Sequence, residues 1–364
     1  MGIAPEKLFS LFATEGEFRS CTPFGSGHIH DTFRVDTRDP ATPDYILQRI
    51  NDVVFRDVTG LQGNIMTVTR HIRGKLMSVP GSDHQRRCLT PIATREGRSW
   101  HTAPDGSHWR MFLYITNHRS YDIVDTEQKA YEGGRAIGQF TAMLADLPGE
   151  SVTETIPDFH NTVRRIETFR RSLLADSAGR VSGVRAETGK ILDRADKMSS
   201  IIRLGEQGLI PLRITHNDTK FNNVLLDDDD KALCVIDLDT VMPGYVHYDF
   251  GDAIRTAAST ATEDAEDLTT VALSLPLYRA WTRGFLSETN AILTPAEKEW
   301  LPFAPQLITY EQALRFLTDY IDGDIYYKIS HSGHNLQRAR TQLRLLESME
   351  ENYSAMEAIV REFS

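Results

Sequence analysis

The residues best suited to chemistry sit in one short stretch. His216, Asp218 and Asn223 follow the spacing His-x-Asp-x-x-x-x-Asn, between the apolar run that ends at Thr215 and the apolar Val224-Leu225-Leu226. Four acidic residues, 227–230, read as a solvated hairpin turn; a second apolar run, 233–236, ends in Asp237-Leu238-Asp239. Strand, loop, strand, turn and strand would bring these groups to one place. Phosphoryl transfer from ATP needs a carboxylate that orients the acceptor hydroxyl and takes its proton, and hard oxygen ligands that hold Mg2+ against the phosphates. Asp218 suits the first task. Asn223 and Asp237 suit the second, because magnesium prefers oxygen donors. Asp239, two residues beyond Asp237 and so on the same side of an extended strand, is expected as a further ligand. A metal hydrolase could use His216, Asp218 and Asp237, but it would leave Asn223 without a task. The chain has no G-x-x-x-x-G-K-[ST] phosphate loop and no H-E-x-x-H zinc motif.

The elements needed to position this island divide in character near residue 117. Before it come short strand-like runs with turn signals: a glycine-containing turn at 24–30, alternating segments at 32–36 and 45–50, and strand candidates at 89–94 and 109–115 around Pro104-Asp105-Gly106. Residues 52–76 show the apolar spacing of a helix. After 117, Ile137, Phe140, Leu144 and Leu147 mark an amphipathic helix, and 268–285 and 312–321 carry helical spacing. Leu336, Ala339, Leu343, Leu346, Met349, Tyr353 and Met356 share one face, which the sequence reads as a docked terminal helix in preference to a coiled coil. The expected architecture is α+β and two-lobed, with a β-rich nucleotide lobe over 1–116 and a mainly helical catalytic and acceptor lobe over 117–364.

Composition limits the function classes. Hydrophobic residues at 40% and charged residues at 25% describe a globular chain with a sizeable core. A net charge of -11 opposes general affinity for nucleic acid or anionic membranes. Cys21, Cys88 and Cys234 are too few and too scattered for a metal or disulfide framework and read as reduced thiols. The N-terminal residues lack a signal-peptide apolar core, and no apolar run approaches the ~20 residues of a membrane span. A cytoplasmic protein is therefore expected.

His216-x-Asp218-x-x-x-x-Asn223, followed by Ile236-Asp237, resembles the catalytic signature of the aminoglycoside phosphotransferases and choline kinases, which share a protein-kinase-like fold. The likeness continues locally. Thr215–Asn223, Ile236-Asp-Leu-Asp-Thr-Val-Met-Pro-Gly244, Tyr248-Asp-Phe-Gly-Asp-Ala-Ile-Arg255, Gly25-Ser-Gly-His-Ile-His30, Tyr45-Ile-Leu-Gln-Arg-Ile-Asn51 and Arg315-Phe-Leu-Thr-Asp-Tyr320 resemble segments of the N-acetylhexosamine 1-kinases, across nearly the whole chain. The resemblance implies ATP as co-substrate, Mg2+ as cofactor and N-acetylglucosamine or N-acetylgalactosamine as acceptor at C1. It assigns Asp218 as base, Lys220 beside the transferred phosphoryl group, Asn223 and Asp237 to the metal, and His28, Arg315 and Tyr326 to the sugar.

Some positions keep two readings. Gly25 and Gly27 could form a phosphate-covering turn, although the third glycine of G-x-G-x-x-G is missing. Kinase-like folds place a lysine in the strand occupied here by 45–50, paired with a helix glutamate. Here Gln48 and Arg49 stand in that strand, and 52–76 contains no glutamate. Gln48 matches the sugar-kinase pattern, and alternation alone does not choose between it and Arg49. Arg315 could instead pair with Asp319 or Asp324. Tyr248-Asp249-Phe-Gly resembles a D-F-G metal motif, but Asp237 already fills that place, so Asp249 is expected to brace the catalytic loop. The competing functions are a kinase for another small alcohol, such as an aminoglycoside, choline or homoserine, and a non-catalytic nucleotide-binding protein.

Overall fold

A computed structural model describes residues 3–25 and 29–364. Among them, the N-terminal part holds a six-stranded antiparallel sheet in the order β1 (Phe18–Pro23), β2 (Asp31–Thr37), β3 (Tyr45–Ile50), β6 (His108–Leu113) and β4 (Pro91–Ile92), with β5 (His101–Thr102) also paired to β6. The turn expected at 104–106 joins β5 to β6. The run at 89–94 shrinks to the two residues of β4, plus a lone bridge from Thr94 to Phe12.

Period-two alternation gives this sheet two different faces. Tyr45 and Leu47 of β3 pack with Val35 and Met111 against Leu8, Phe9 and Phe12, around helix α1 (Pro5–Leu11). Ile46 and Ile50 point the other way, with Phe112, into the core that also contains Leu238 and Val241 of the catalytic island. Gln48 lies between Ile46 and Ile50 and therefore on the island side; Arg49 lies on the opposite side, beside Asp31 at 3.6 Å. Alternation in three dimensions thus resolves what the sequence left open.

The helix expected from residue 52 begins at 58. Asp57 caps it, its side chain accepting the Gly60 amide at 2.8 Å, and α2 runs Val58–Met77. A short α3 (His84–Arg87) leads back to the sheet. The larger lobe is built from α4 (Glu127–Leu144), α5 (Thr162–Ala175), α6 (Arg185–Met198), α7 (Ser200–Glu206), α8 (Val246–Ala257), α9 (Leu275–Thr289), α10 (Pro295–Trp300), α11 (Ala304–Asp322), α12 (His334–Glu351) and α13 (Tyr353–Phe363). The helix expected over 268–285 starts at 275 instead, since Pro276 suits the first turn of a helix and not its interior. The terminal helix docks as expected but breaks at Asn352, whose side chain folds back on the Ser348 carbonyl at 2.8 Å. The first piece spans two cores: Leu343 and Leu346 sit with Phe316 and Leu317, while Leu345 and Met349 join Met356 and Val360 of the second piece in the core of Tyr278 and Trp281.

Close backbone approach holds α4 on α9. A Cβ at Gly134 would lie 2.2 Å from the Trp281 carbonyl oxygen, and one at Gly284 2.0 Å from that of Tyr131. Between the helices lie two short hairpins, β7 (Arg213–Thr215) with β10 (Met242–Gly244) and β8 (Val224–Leu226) with β9 (Ala232–Val235). β7, β8 and β9 are the expected strands of the island; β10 was not expected. Cys21, Cys88 and Cys234 are free thiols, and among the described residues no helix is long and apolar enough to cross a membrane.

Candidate active site

The loop between β7 and β8 is fixed almost entirely from beneath. Asp249 on α8, fully buried, accepts the His216 amide at 2.8 Å and the Asn217 amide at 2.7 Å, while Thr219 Oγ1 donates to the Asp249 carbonyl at 2.6 Å. Asp249 therefore braces the loop, as expected. Burial raises its carboxyl pKa despite the opposing His216 and amide contacts. His216 Nε2 donates to the Ile236 carbonyl at 2.9 Å and its Nδ1 accepts the Asp218 amide at 3.3 Å, so the imidazole joins the loop to the strand end. Thr240 ties the loop twice across the same gap: its carbonyl accepts Asn217 Nδ2 at 2.9 Å and its Oγ1 donates to the His216 carbonyl at 2.6 Å. Gly244 is required below them, because a Cβ there would fall 2.2 Å from Thr215 Oγ1.

Two acidic or amide residues pay for this arrangement with left-handed backbone, Asn217 at φ 64° and Asp237 at φ 59°. Conformations of this kind concentrate at functional sites because the surroundings must impose them. The loop leaves Asp218 half-buried, with Lys220 Nζ 3.1 Å from its Oδ2. Asp218 raises the Lys220 pKa against burial, with Asp237 and Asp252 adding to the same field.

Asn223 spends its amide nitrogen on Asp218, donating to the carbonyl at 2.8 Å and to Oδ2 at 3.3 Å. Its Oδ1 is thus the atom left for a cation. Asp237 keeps its side chain open to solvent but is crowded by protein and by other negative groups. Desolvation by the surrounding protein first, then Asp239 and Asp218, push its pKa up to about 7, with Lys220 opposing. A divalent cation would relieve that unfavourable charge, so Asp237 and Asn223 fit a Mg2+ site by donor type and electrostatics. Among the described residues no three His, Cys, Asp or Glu side chains converge on a metal position. A cation here would complete its shell with phosphate oxygens and water, which is how magnesium commonly binds in kinases.

Asp239 departs from expectation. Its carboxylate receives both terminal nitrogens of Arg110, with NH2 at 2.7 Å from Oδ2, and His30 Nε2 at 2.8 Å. Burial would raise its pKa, but Arg110 and His30 hold it far below the usual range. A buried carboxylate with a guanidinium available pairs with it, and both oxygens are then occupied. Gln48 also departs. It donates to Thr32 Oγ1 at 3.0 Å and accepts Arg110 Nε at 2.9 Å, so its amide is engaged with Thr32 and Arg110. Gly25 lies in the β1–β2 turn at φ 78°; Gly27 and His28 lie outside the described residues.

Arg315 and Tyr326 come together at a second place, a cavity of about 540 Å3 between α5, α11 and the loop after α11. The Arg315 guanidinium stands over the rings of Tyr327 at 5.5 Å, Phe159 at 5.8 Å and Tyr326 at 6.0 Å. Neither acidic residue suggested as its partner takes it. Asp324 pairs with Arg180 at 2.6 Å, and Asp319 accepts the backbone amides of 325–327 together with Asn335. His160, next in sequence to the cavity residue Phe159, links this region to the catalytic loop: its Nε2 lies 3.2 Å from the Asn217 carbonyl and its Nδ1 2.9 Å from Glu311. Burial raises the Glu311 pKa, yet His160 and Arg165 outweigh it and hold the carboxyl at about 2.

Arg110, His30, His160, Glu311 and Arg165 escaped the reading from sequence. Arg110 had one available signal: it is the antiparallel strand neighbour of Gln48, the position where a cation was missing.

Comparison with known proteins agrees with this geometry. The model of the APH phosphotransferase enzyme family matches residues 20–285. An aminoglycoside phosphotransferase from Alicyclobacillus acidocaldarius has a similar structure, with a TM-score of 0.64 at 12% identity over 100% of this chain and 96% of the other. A microcompartment-associated aminopropanol kinase gives 0.60 at 16% identity over 97% of each chain. An amicoumacin kinase in complex with AMP-PNP and Ca2+ gives 0.60 at 12% identity over 95% and 92%. At these identities the likeness shows a shared fold.

Proposed function

This chain belongs to the APH phosphotransferase enzyme family, and we propose that it transfers the γ-phosphoryl group of ATP to the anomeric C1 hydroxyl of an N-acetylhexosamine such as N-acetylglucosamine or N-acetylgalactosamine. The observation that carries the acceptor assignment is the charge state of the cavity wall. Its four carboxylates, Asp158, Glu167, Asp319 and Asp322, are matched by four arginines, Arg164, Arg165, Arg171 and Arg315. Arg315 faces aromatic rings. The wall therefore carries no net negative charge to draw a cationic acceptor. A neutral, hydroxyl-rich ring with an acetamido group suits flat aromatic surface and guanidinium donors.

In this reading Asp218 orients the C1 hydroxyl and receives its proton as the O–P bond forms. Lys220, already held at Asp218, offsets negative charge developing on the transferred group. Mg2+, held by Asn223 Oδ1 and Asp237, would neutralise the phosphates. Arg315, Tyr326 and His28 contact the sugar, and the Gly25–Gly27 turn covers the phosphates. Residues 1–116 and 117–364 form the two lobes that close on the substrates. The test is ATP consumption with Mg2+ across free sugars, aminoglycosides, choline, aminopropanol and homoserine. Turnover confined to a cationic alcohol would remove the sugar and keep the kinase.

A further inference from the structure

The small lobe lacks the lysine that kinase-like folds carry in the strand equivalent to β3, yet it is not short of a buried cation. Gln48 and Arg110 are Cα partners across β3 and β6, on the face turned towards the catalytic island. The positive charge has moved one strand sideways. Arg110 is 3% exposed and engaged through all three nitrogens: Nε donates to Gln48 Oε1 at 2.9 Å, and NH1 and NH2 both donate to Asp239. His30 adds a third donor. Its Nδ1 accepts the Asn51 amide at 3.0 Å, which leaves the proton on Nε2, aimed at Asp239 Oδ2 at 2.8 Å. The ring stacks on Phe55 at 5.3 Å, so its orientation is fixed. Gln48 is held in turn by Thr32.

Asp239 is the recipient of all these bonds and comes from the other lobe. It lies in the 3-10 turn Leu238–Thr240, directly after Asp237 and bonded through Thr240 to His216 and Asn217. We propose that Arg110, His30 and Asp239 form a clasp between the lobes that takes the place of the absent strand lysine, and that Arg110 and His30 are positioning residues which set Asp237 for Mg·nucleotide without contacting the metal. A buried ion pair is a costly way to gain stability, and its best-attested use is to fix one geometry among several. Loss of the clasp frees the turn that carries Asp237 and misaligns the metal-bound phosphates, while the acceptor cavity on α5 and α11 is untouched.

This inference rests on the kinase reading, and one experiment separates the two. Mg·ADP and Mg·AMP-PNP affinity is measured by calorimetry on the full chain, with thermal midpoints recorded in parallel, for the parent, Arg110→Gln, Asp239→Asn, their double variant, and Gln48→Lys/Arg110→Gln. A parent that binds neither nucleotide sinks the kinase reading and the clasp with it. With a binding parent, Arg110→Gln and Asp239→Asn each weaken Mg·nucleotide by about tenfold or more and lower kcat, with the acceptor KM unchanged. The double variant is no worse than either single one, because both remove the same link. Returning the cation to β3 in Gln48→Lys/Arg110→Gln restores most of the affinity. Parent-like affinity in a folded Arg110→Gln overturns the clasp. So does an Asp239→Asn variant that alone raises the Mg2+ requirement, which would make Asp239 a metal ligand. If Arg110→Gln does not fold, the Arg110→Gln/Asp239→Asn double variant, which leaves no unpaired buried charge, serves, with loss of affinity supporting the clasp and parent-like affinity overturning it.

Discussion

The catalytic loop and the acceptor cavity are built by opposite means. In the loop, Asp218, Lys220 and Asn223 lie within six residues, and their positions come from main-chain amides and carbonyls gripped by Asp249, Thr219, His216 and Thr240. In the cavity, Phe159, Arg165, Arg315 and Tyr326 come from two distant parts of the chain and meet through ring faces and one buried charge network. Backbone gripping suits chemistry that must be identical in every turnover. Side chains set on separate helices suit recognition, since each can change without disturbing the loop. His160 is where the two schemes touch, bonded to the Asn217 carbonyl on one side and to Glu311 on the other.

Changes to the loop should strike turnover, and changes to the cavity should strike acceptor binding. The largest effect belongs to Asp218→Asn, for which kcat should fall by about 10^2–10^4-fold, the usual contribution of a general base, while calorimetry finds nucleotide affinity largely intact. Near-parental kcat would remove Asp218 as the base. Asp237→Ala should weaken nucleotide binding in the presence of Mg2+ and leave the metal-free affinity little changed; equal effects with and without Mg2+ would remove it from the metal.

How much of this was open to reading from sequence follows the same division. The grouping of Asp218, Asn223 and Asp237 and the bracing contacts of Asp249 were visible because their spacing is local and their strands are bounded by clear turn residues. The strand at 45–50 was visible by alternation and matches β3 to the residue. The Arg110–Asp239 pair was not, since it joins residues 129 apart in sequence and no spacing rule connects them. Asp239 was therefore read as a ligand beside Asp237, although its oxygens are taken by Arg110 and His30. Helix α9 and the split terminal helix missed their boundaries because apolar periodicity continued through Pro276 and Asn352, where backbone chemistry ends or breaks a helix.

Smaller effects sharpen the contrast from the cavity side. Arg315→Ala should raise the acceptor KM by roughly 10–100-fold, as expected for a buried cationic donor, with the KM for ATP unchanged. A matching rise in both constants would mean that the cavity and the loop are not separable. Glu311→Gln tests the link between them through pH. The Glu311 carboxyl is held at about 2 in the fold against an ordinary 4.5. Its stabilising contribution is thus fully present above about pH 4.5 and is lost as pH falls towards 2. Denaturant titration at pH 7 should find the variant less stable by on the order of 3 kcal/mol. That gap should shrink as the pH is lowered from 5 towards 2. A gap independent of pH would show that the Glu311 charge does not stabilise the fold.

The most direct test of the proposed reaction is product identification: incubation with ATP, Mg2+ and N-acetylglucosamine or N-acetylgalactosamine, with the new phosphate located by phosphorus NMR. A phosphate coupled to the anomeric proton at C1, absent with Asp218→Asn, is the expected result. Phosphorylation only of another alcohol, or none of any sugar at saturating ATP, would contradict it.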